Sequence, residues 1–496
     1  MAAPASGAPH ETLLILSDVH LGSDLNDRAP PGASPRRSKR IDEDLIALFR
    51  HYAARADIAD PAKDRWRAVI AGDFIGMAIA TEGVSRQSLA TAPDAEELAH
   101  GLGNASDHAR EKLLRVAVRH REVLASIADF VARGHALTMV HGNHDIEFHW
   151  EAVRTEFKTI LLRLAKESRP EVGLDEAAFL ARIEFNPWFF WKDGVAYIEH
   201  GHQYDAMCAT DFVMAPLSPL DPRRIARGFT EIFLRYVVRP TRGMKEHGHE
   251  SKGLVDYIAF AIGLGVRGLW NLAVRFASAV LELFRLRRAY FTDAAAKLRE
   301  EHERRMGLLA EATRIGIDRL RALAALQVPP VTRSIRGILA SVLLDRLALA
   351  LLTAMMLVGV AIASWNHGHL WWAAGLVVAA WALANRHLSS QRKLEPDDLL
   401  VERAAHLVKL FPAAFVVMGH THVPQRVSVG DGTSTYINVG SWAEEEEDPL
   451  ASSSYRAART HLVIRDGESG PVAEFLAWDP TAGPLAYSLP PRKTTT

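Results

Sequence analysis

The side chains best suited to chemistry fall in five short clusters. They are Ser17-Asp18-Val19-His20, Gly72-Asp73, Gly142-Asn143-His144-Asp145, His200-Gly201-His202 and Gly419-His420-Thr421-His422. Carboxylate, amide and imidazole groups recur in them. Imidazole suits zinc, iron and manganese, while carboxylate and amide oxygens suit manganese, iron and magnesium. The chain has a single cysteine, Cys208, so a thiolate site is excluded. Asp18 and His20 are two residues apart, as are His420 and His422, and on a strand each pair would face one side. Two such pairs supply more ligands than one tetrahedral ion needs. A carboxylate such as Asp73 can bridge two ions. Two ions about 3.5–4 Å apart can clamp a phosphate, polarise it and lower the pKa of a bound water.

Each cluster directly follows a short run rich in Val, Ile or Leu: residues 12–16, 67–71, 137–140, 195–198 and 414–418. These runs read as buried strands. A sixth run, residues 435–439, leads through Asn438-Val439-Gly440-Ser441-Trp442. In α/β folds, sites form in the crevice beyond the carboxyl ends of strands. A lone histidine is more often a surface or satisfied core residue than a ligand. Five clusters in phase with five strand ends point instead to one convergent site.

The five motifs together resemble the calcineurin-like metallophosphoesterases, in order, in spacing and in the strand before each motif. The Gly-Asn-His-Asp and Gly-His-Thr-His pieces carry most of that specificity. The resemblance covers residues 10–215 and 400–445. It implies an α/β fold, a four-layer αββα sandwich with two packed sheets and helices outside. It also implies two divalent metal ions, manganese first and iron or zinc as alternatives. Asp18, His20 and His422 would hold one ion; Asn143, His200 and His420 would hold the other; Asp73 would bridge. His144 would be the catalytic residue, donating a proton to the leaving alkoxide or stabilising charge on the phosphoryl oxygens, and metal-activated water would be the nucleophile. Many members carry Asp three residues after the bridging Asp, where it orients the catalytic histidine; here that position is Gly76. Asp145 is then the candidate to orient His144, and His202 a candidate for contact with the site or substrate. Asp-Val-His-Leu-Gly and the segment from His200 to Cys208 are similar to bacterial hydrolases that cleave the pyrophosphate of UDP-diacylglucosamine. Those enzymes tend to have Arg where this chain has His144, so their substrate is not carried over.

At 496 residues the chain exceeds the usual single-core size. Three stretches are expected: a first catalytic part (1–215), a helical insertion (216–398) and a second catalytic part (399–496). A net charge of -1 gives no reason to expect nucleic acid. Cys208 has no nucleophile motif around it and reads as a packed small residue. The first nine residues lack Lys and Arg and the run 13–16 is short for a signal h-region, so no export signal is expected there. Residues 23–40 and 91–108 read as loops, the second with a short helix, and the tail from residue 490 as frayed.

Residues 347–365 form an uninterrupted apolar run, followed by Asn366-His367-Gly368-His369 and a shorter apolar run to residue 384. This reads as a transmembrane hairpin over residues 347–384, with Trp365, Trp371 and Trp372 near its turn. Arg333, Arg336 and Arg346 precede it, Arg386, Arg392 and Lys393 follow it, and the turn has no Lys or Arg. The positive-inside rule then puts the catalytic part on the cytoplasmic face of the inner membrane. A buried helical hairpin is the competing reading. Residues 257–284 read equally as an interfacial amphipathic helix or one packed within the insertion. Residues 297–326 read as a charged helix with an apolar stripe, a stalk or homodimer contact. The aromatic run 185–191 reads as a hairpin strand in the core, with contact to a lipid or nucleobase as the alternative.

The expected function is metal-dependent hydrolysis of a phosphoester or pyrophosphate in a phosphorylated small-molecule or lipid substrate at the membrane. A membrane-tethered nucleotide or cyclic-nucleotide phosphodiesterase and an inactive metal-binding membrane scaffold are the alternatives.

Overall fold

The computed structural model describes residues 11–23, 25, 35–54, 65–77, 89–170, 173–241, 263–341, 344–367, 371–390, 396–443 and 459–489. It is an α/β fold with two mixed sheets. The strands are β1 (Glu11–Leu16), β2 (Arg65–Ala71), β3 (Ala136–Val140), β4 (Ile183–Asn186), β5 (Phe189–Lys192), β6 (Gly194–Glu199), β7 (Ala413–Met418), β8 (Gln425–Val429), β9 (Ser434–Asn438), β10 (Thr460–Gly467), β11 (Gly470–Asp479) and β12 (Gly483–Ala486). The first sheet runs β12-β11-β10-β1-β2-β3-β4, and the second β5-β6-β7-β9-β8. β1 to β4 pair in parallel, as do β6, β7 and β9, so their carboxyl ends emerge on common edges. All six apolar runs expected as strands are strands. The aromatic run divides between β4 in one sheet and β5 in the other, and Phe189 stacks on Tyr197 in the core.

Strand alternation explains why these runs are apolar throughout. Leu13, Ile15, Val69 and Ala71 from the first sheet share one cluster with Ala196, Ile198, Phe415 and Val417 from the second. The alternate residues Leu14, Leu16, Ala68 and Ile70 pack instead with the helices Pro35–Ala54, Ser106–Arg119, Arg121–Ala132 and Glu151–Ser168. Both faces are covered, so both sets must be apolar. Each Leu, Ile, Val or Phe among them contributes about 1.5–3 kcal/mol on burial.

The second sheet's other face is covered partly from the middle stretch. Leu320 and Leu323 of the helix Ile317–Leu326, and Met306 of Asp293–Thr313, join Tyr197, Val416 and Met418. His302 Nδ1 also accepts the Met214 N–H at 3.2 Å. The apolar stripe read as a stalk or dimer contact therefore packs within its own chain, where the exposed face of a sheet was waiting for it. The boundary at residue 215 is likewise bridged. Arg224 pairs with Glu97 at 2.7 Å, Arg235 with Glu96 at 2.9 Å, and the Ile225 N–H donates to Asn104 Oδ1 at 3.1 Å.

Two loop expectations are shorter than anticipated. A helix begins at Pro35, whose missing N–H and fixed φ suit a first turn; residues 24 and 26–34 lie outside the described set. Residues 91–108 contain the helix Ala95–His100, capped by reciprocal Asp94–Glu97 hydrogen bonds, and the start of Ser106–Arg119.

The expected hairpin appears as the helices Leu344–His367 and Trp371–Ser390; residues 368–370 are outside the described set. Within the first, Ala348–Trp365 has a mean hydropathy of 2.1 and is only 6% buried. Among the described residues it is the one helix long and apolar enough to cross a membrane. The helix Gly265–Ala289 is divided: Ala279, Val280 and Leu283 are buried, while Val266 and Trp270 are exposed. Residues 257–262 of that expectation lie outside the described set.

Candidate metal centre

The strands stop before the candidate site residues begin. Asp18, His20, Asp73, His420 and His422 have φ of 55°, 51°, 54°, 71° and 61°. Among the described residues these are five of the eight non-glycine positions with positive φ. That backbone region costs an ordinary residue about 1 kcal/mol or more and persists only where its surroundings enforce it. The shared direction of Asp18 with His20, and of His420 with His422, is therefore not strand alternation, as the spacing suggested; it comes from left-handed turns beyond β1 and β7.

Hydrogen bonds from neighbouring strand ends enforce those turns. The Val19 and His20 N–H groups donate to Asp73 O at 3.0 and 2.9 Å. Asp18 O accepts from Ser441 Oγ, Trp442 N and Ala443 N, each at 3.0 Å. Asn438 Nδ2 donates to Gly419 O at 2.7 Å and Thr421 Oγ1 at 3.0 Å. The sixth strand end thus braces two of the turns that carry candidate ligands. Gly419 and Gly142 allow close approaches within the cluster. A Cβ on Gly419 would sit 2.1 Å from Ser17 Oγ and 2.3 Å from Asp18 Oδ2.

The side chains converge. Asp18 Oδ1 lies 3.1 Å from His422 Nε2 and 3.8 Å from His20 Nε2, and those two nitrogens are 3.3 Å apart. Asp73 Oδ2 lies 3.2 Å from His200 Nε2, 3.9 Å from His20 Nε2 and 4.0 Å from His144 Nε2. Asn143 Oδ1 is 3.1 Å from His200 Nε2. His420 donates its backbone N–H to Asp18 Oδ2 at 3.0 Å, and its ring centroid is 5.2 Å from that of His200. Three groups share these residues: Asp18 with His20 and His422, His20 with Asp73 and His144, and Asp18 with Asp73 and His200. In each, one ligand atom per residue lies within 4.8 Å of the others.

The donor set fits divalent cations. His200 Nδ1 donates to Ala71 O at 2.9 Å, so in a neutral ring Nε2 is a bare lone pair. That lone pair faces two oxygens, of Asp73 and Asn143, which only a cation or a proton can reconcile. Asp18 Oδ1 is fully buried and, among the described residues, makes no hydrogen bond of good geometry, although His422 Nε2 lies 3.1 Å away. The electrostatics agree in direction. Burial opposes the charged form of His200, yet Asp73 and Asp18 overcome it and push its pKa up to about 10. Burial likewise opposes ionisation of Asp73, but His200 and His144 hold its pKa well below the usual carboxylate range.

Of the two supporting candidates, Asp145 takes a different position from the one expected and His202 lies beside the cluster. Asp145 accepts the Gly142 and Phe74 N–H groups, both at 2.8 Å, and is fully buried. It clamps the backbones beside Asn143 and Asp73 and makes no hydrogen bond to the His144 ring. His144 is held through its backbone: its N–H donates to Asp73 Oδ1 at 2.8 Å and its carbonyl accepts from Met77 N at 3.0 Å. Its Nδ1 is buried with no hydrogen-bond partner among the described residues. His202 is buried, with its ring 5.3 Å from His200 and its Nε2 2.9 Å from Gln203 Nε2.

Asp205 was missed by motif reading because it follows a short turn instead of a strand. Its Oδ2 is 3.1 Å from His420 Nε2. Cys208, read as packing, is half-buried and forms a potential ligand group with Asp205 and His420. No protein-family model matches the chain, and no curated protein matches it.

Proposed function

We propose that this protein is a calcineurin-like metallophosphoesterase, a four-layer αββα sandwich that hydrolyses a phosphoester or pyrophosphate bond. The observation that carries the reading is the convergence of five strand ends, through strained turns, on one cluster of imidazoles and carboxylates. Asp18, His20 and His422 would hold one ion, Asn143, His200 and His420 the other, and Asp73 would be shared; manganese is favoured over iron or zinc. When bound, two such ions would neutralise phosphoryl charge and lower the pKa of a water. His144 lies beside that cluster, 13% exposed at its side chain and with Nδ1 uncommitted. Burial lowers its pKa despite the nearby Asp73, favouring the neutral ring near pH 7. A neutral imidazole can donate a hydrogen bond to a phosphoryl oxygen or to the leaving oxygen.

The exposed apolar helices 344–367 and 371–390 support insertion in the cytoplasmic membrane. Arginines before and after them support a cytoplasmic active site. That location favours a phospholipid or a lipid-linked nucleotide as substrate. The test is turnover by the manganese-loaded protein of extracted membrane lipids against soluble nucleotides. Turnover of soluble nucleotides alone would sink the lipid reading. Among the described residues no carboxylate is hydrogen-bonded to the His144 ring, and this favours one second reading, an inactive metal-binding scaffold. That reading predicts full metal occupancy with no hydrolysis even of an activated aryl phosphodiester.

A further inference from the structure

We infer that Asp205 is a positioning residue that sets the tautomer of His420, and that the helical middle stretch holds it in place. The inference rests on the metal-centre reading above. Asp205 is anchored at both oxygens: Oδ1 accepts the Met207 N–H at 2.9 Å, and Oδ2 faces His420 Nε2 at 3.1 Å. A carboxylate only accepts, so Nε2 must carry the proton. Nδ1 of a neutral His420 is then a free lone pair, and it makes no hydrogen bond to any described residue. His200 is arranged in the opposite sense, with Nδ1–H on Ala71 O and Nε2 turned to the Asp73 and Asn143 oxygens. The two imidazoles would therefore bind through different nitrogens, each fixed by the partner of the other.

The loop carrying Asp205 is gripped from the middle stretch. The Val328 N–H donates to Gln203 O at 3.0 Å, and the Val331 N–H to Ala206 O at 2.8 Å. Thr230 Oγ1 donates to Met207 O at 3.2 Å. Val331 belongs to the turn Val331–Arg333, which leads directly into Ile335–Ser341 and the apolar helix 344–367. One short loop thus joins the metal centre to the root of the hairpin.

The test is manganese titration of full-length, metal-free protein in detergent, read by equilibrium affinity and by the electron paramagnetic resonance of the bound ions. Wild type binds two ions. In Asp205→Asn the Met207 N–H keeps the amide oxygen, so the amide N–H₂ faces His420 Nε2 and forces the proton onto Nδ1. One site then weakens about 10–100-fold while the other stays within about twofold. Asp205→Ala imposes no tautomer and weakens that site less; Asp205→Glu recovers most of the affinity. Val331→Pro removes one grip on the loop and weakens the same site by less than about 10-fold. A merely structural role predicts the reverse order, Ala worse than Asn, and that order overturns the inference. Wild-type affinities in Asp205→Asn also overturn it, leaving the phosphoesterase reading intact. If Asp205→Asn fails to fold, unchanged binding in Asp205→Ala overturns it equally. A wild type that binds no manganese overturns both.

Discussion

Adding one methyl group at Gly142 should disable the proposed metal centre. The Cβ of Gly142→Ala would lie 2.0 Å from Asp73 Oδ1, 2.8 Å from its Cγ and 2.5 Å from its backbone N. Non-bonded carbon contacts are comfortable near 3.5 Å, so Asp73 must retreat by about 1 Å. Its side chain has little freedom: Oδ1 holds the His144 N–H at 2.8 Å and Oδ2 faces His200 Nε2 at 3.2 Å. Its backbone carbonyl holds the Val19–His20 turn. Overpacking costs about 1–3 kcal/mol, and losing a charge-assisted hydrogen bond about 1.5–3 kcal/mol. A less flexible unfolded chain offsets about 0.4–1 kcal/mol. The net destabilisation is about 2–5 kcal/mol, to be measured by urea unfolding of the metal-free protein. A reacting group misplaced by about 1 Å costs about 100-fold in rate, so manganese-dependent turnover of an aryl phosphodiester should fall at least that far. Gly307→Ala is the control: it lies within a helix with nothing within 4 Å of the added carbon. It should gain up to about 1 kcal/mol. Wild-type stability and turnover in Gly142→Ala would refute the close approach that builds the site.

Replacing His144 by Ala should lower kcat about 10²–10⁴-fold with KM and metal stoichiometry little changed; a rise in KM alone would make His144 a phosphate-binding group only. Chelation should lower the unfolding midpoint reversibly, and manganese at about 100 times its Kd should restore about 2.7 kcal/mol; a midpoint indifferent to chelator counts against the site. Burial pushes the pKa of His461 down to about 3, and its Nε2 lies 2.8 Å from the Tyr52 hydroxyl. The unfolded chain takes up that proton near pH 6.5, so this residue costs about 1.4 kcal/mol of stability per unit as pH falls from there toward 3. The Tyr52→Phe/His461→Phe variant should therefore show a shallower loss over that range, and an unchanged slope would contradict the buried neutral ring. Val358 and Ile362 are 58% and 63% exposed on the apolar helix. Asp at both should shift the protein from the membrane to the soluble fraction, and unchanged sedimentation with membranes would argue against insertion through this helix.

Much of the site was legible because its chemistry is local. A strand that ends in Gly-Asn-His-Asp or Gly-His-Thr-His announces both its burial and its donors, and all six such runs are strands. Three matters were not legible. Asp205 follows no strand, and only the fold brings it to His420 from 215 residues away in sequence. Asp145 stands next to His144 yet turns to two backbone N–H groups, because those amides lie buried beside it and would otherwise lack acceptors. The stripe over residues 297–326 marked a buried helical face without naming its partner, which proved to be the second sheet.

The sequence by itself determined the strands, the donor types and the apolar helix, since each depends on residues close together in the chain. Tertiary structure alone decided the left-handed turns that aim Asp18, His20, Asp73, His420 and His422 at one another. Those conformations are locally unfavourable, so no local pattern encodes them. They exist because hydrogen bonds from distant strand ends, Asp73 to His20 and Ser441 to Asp18 among them, outweigh the cost of the turn.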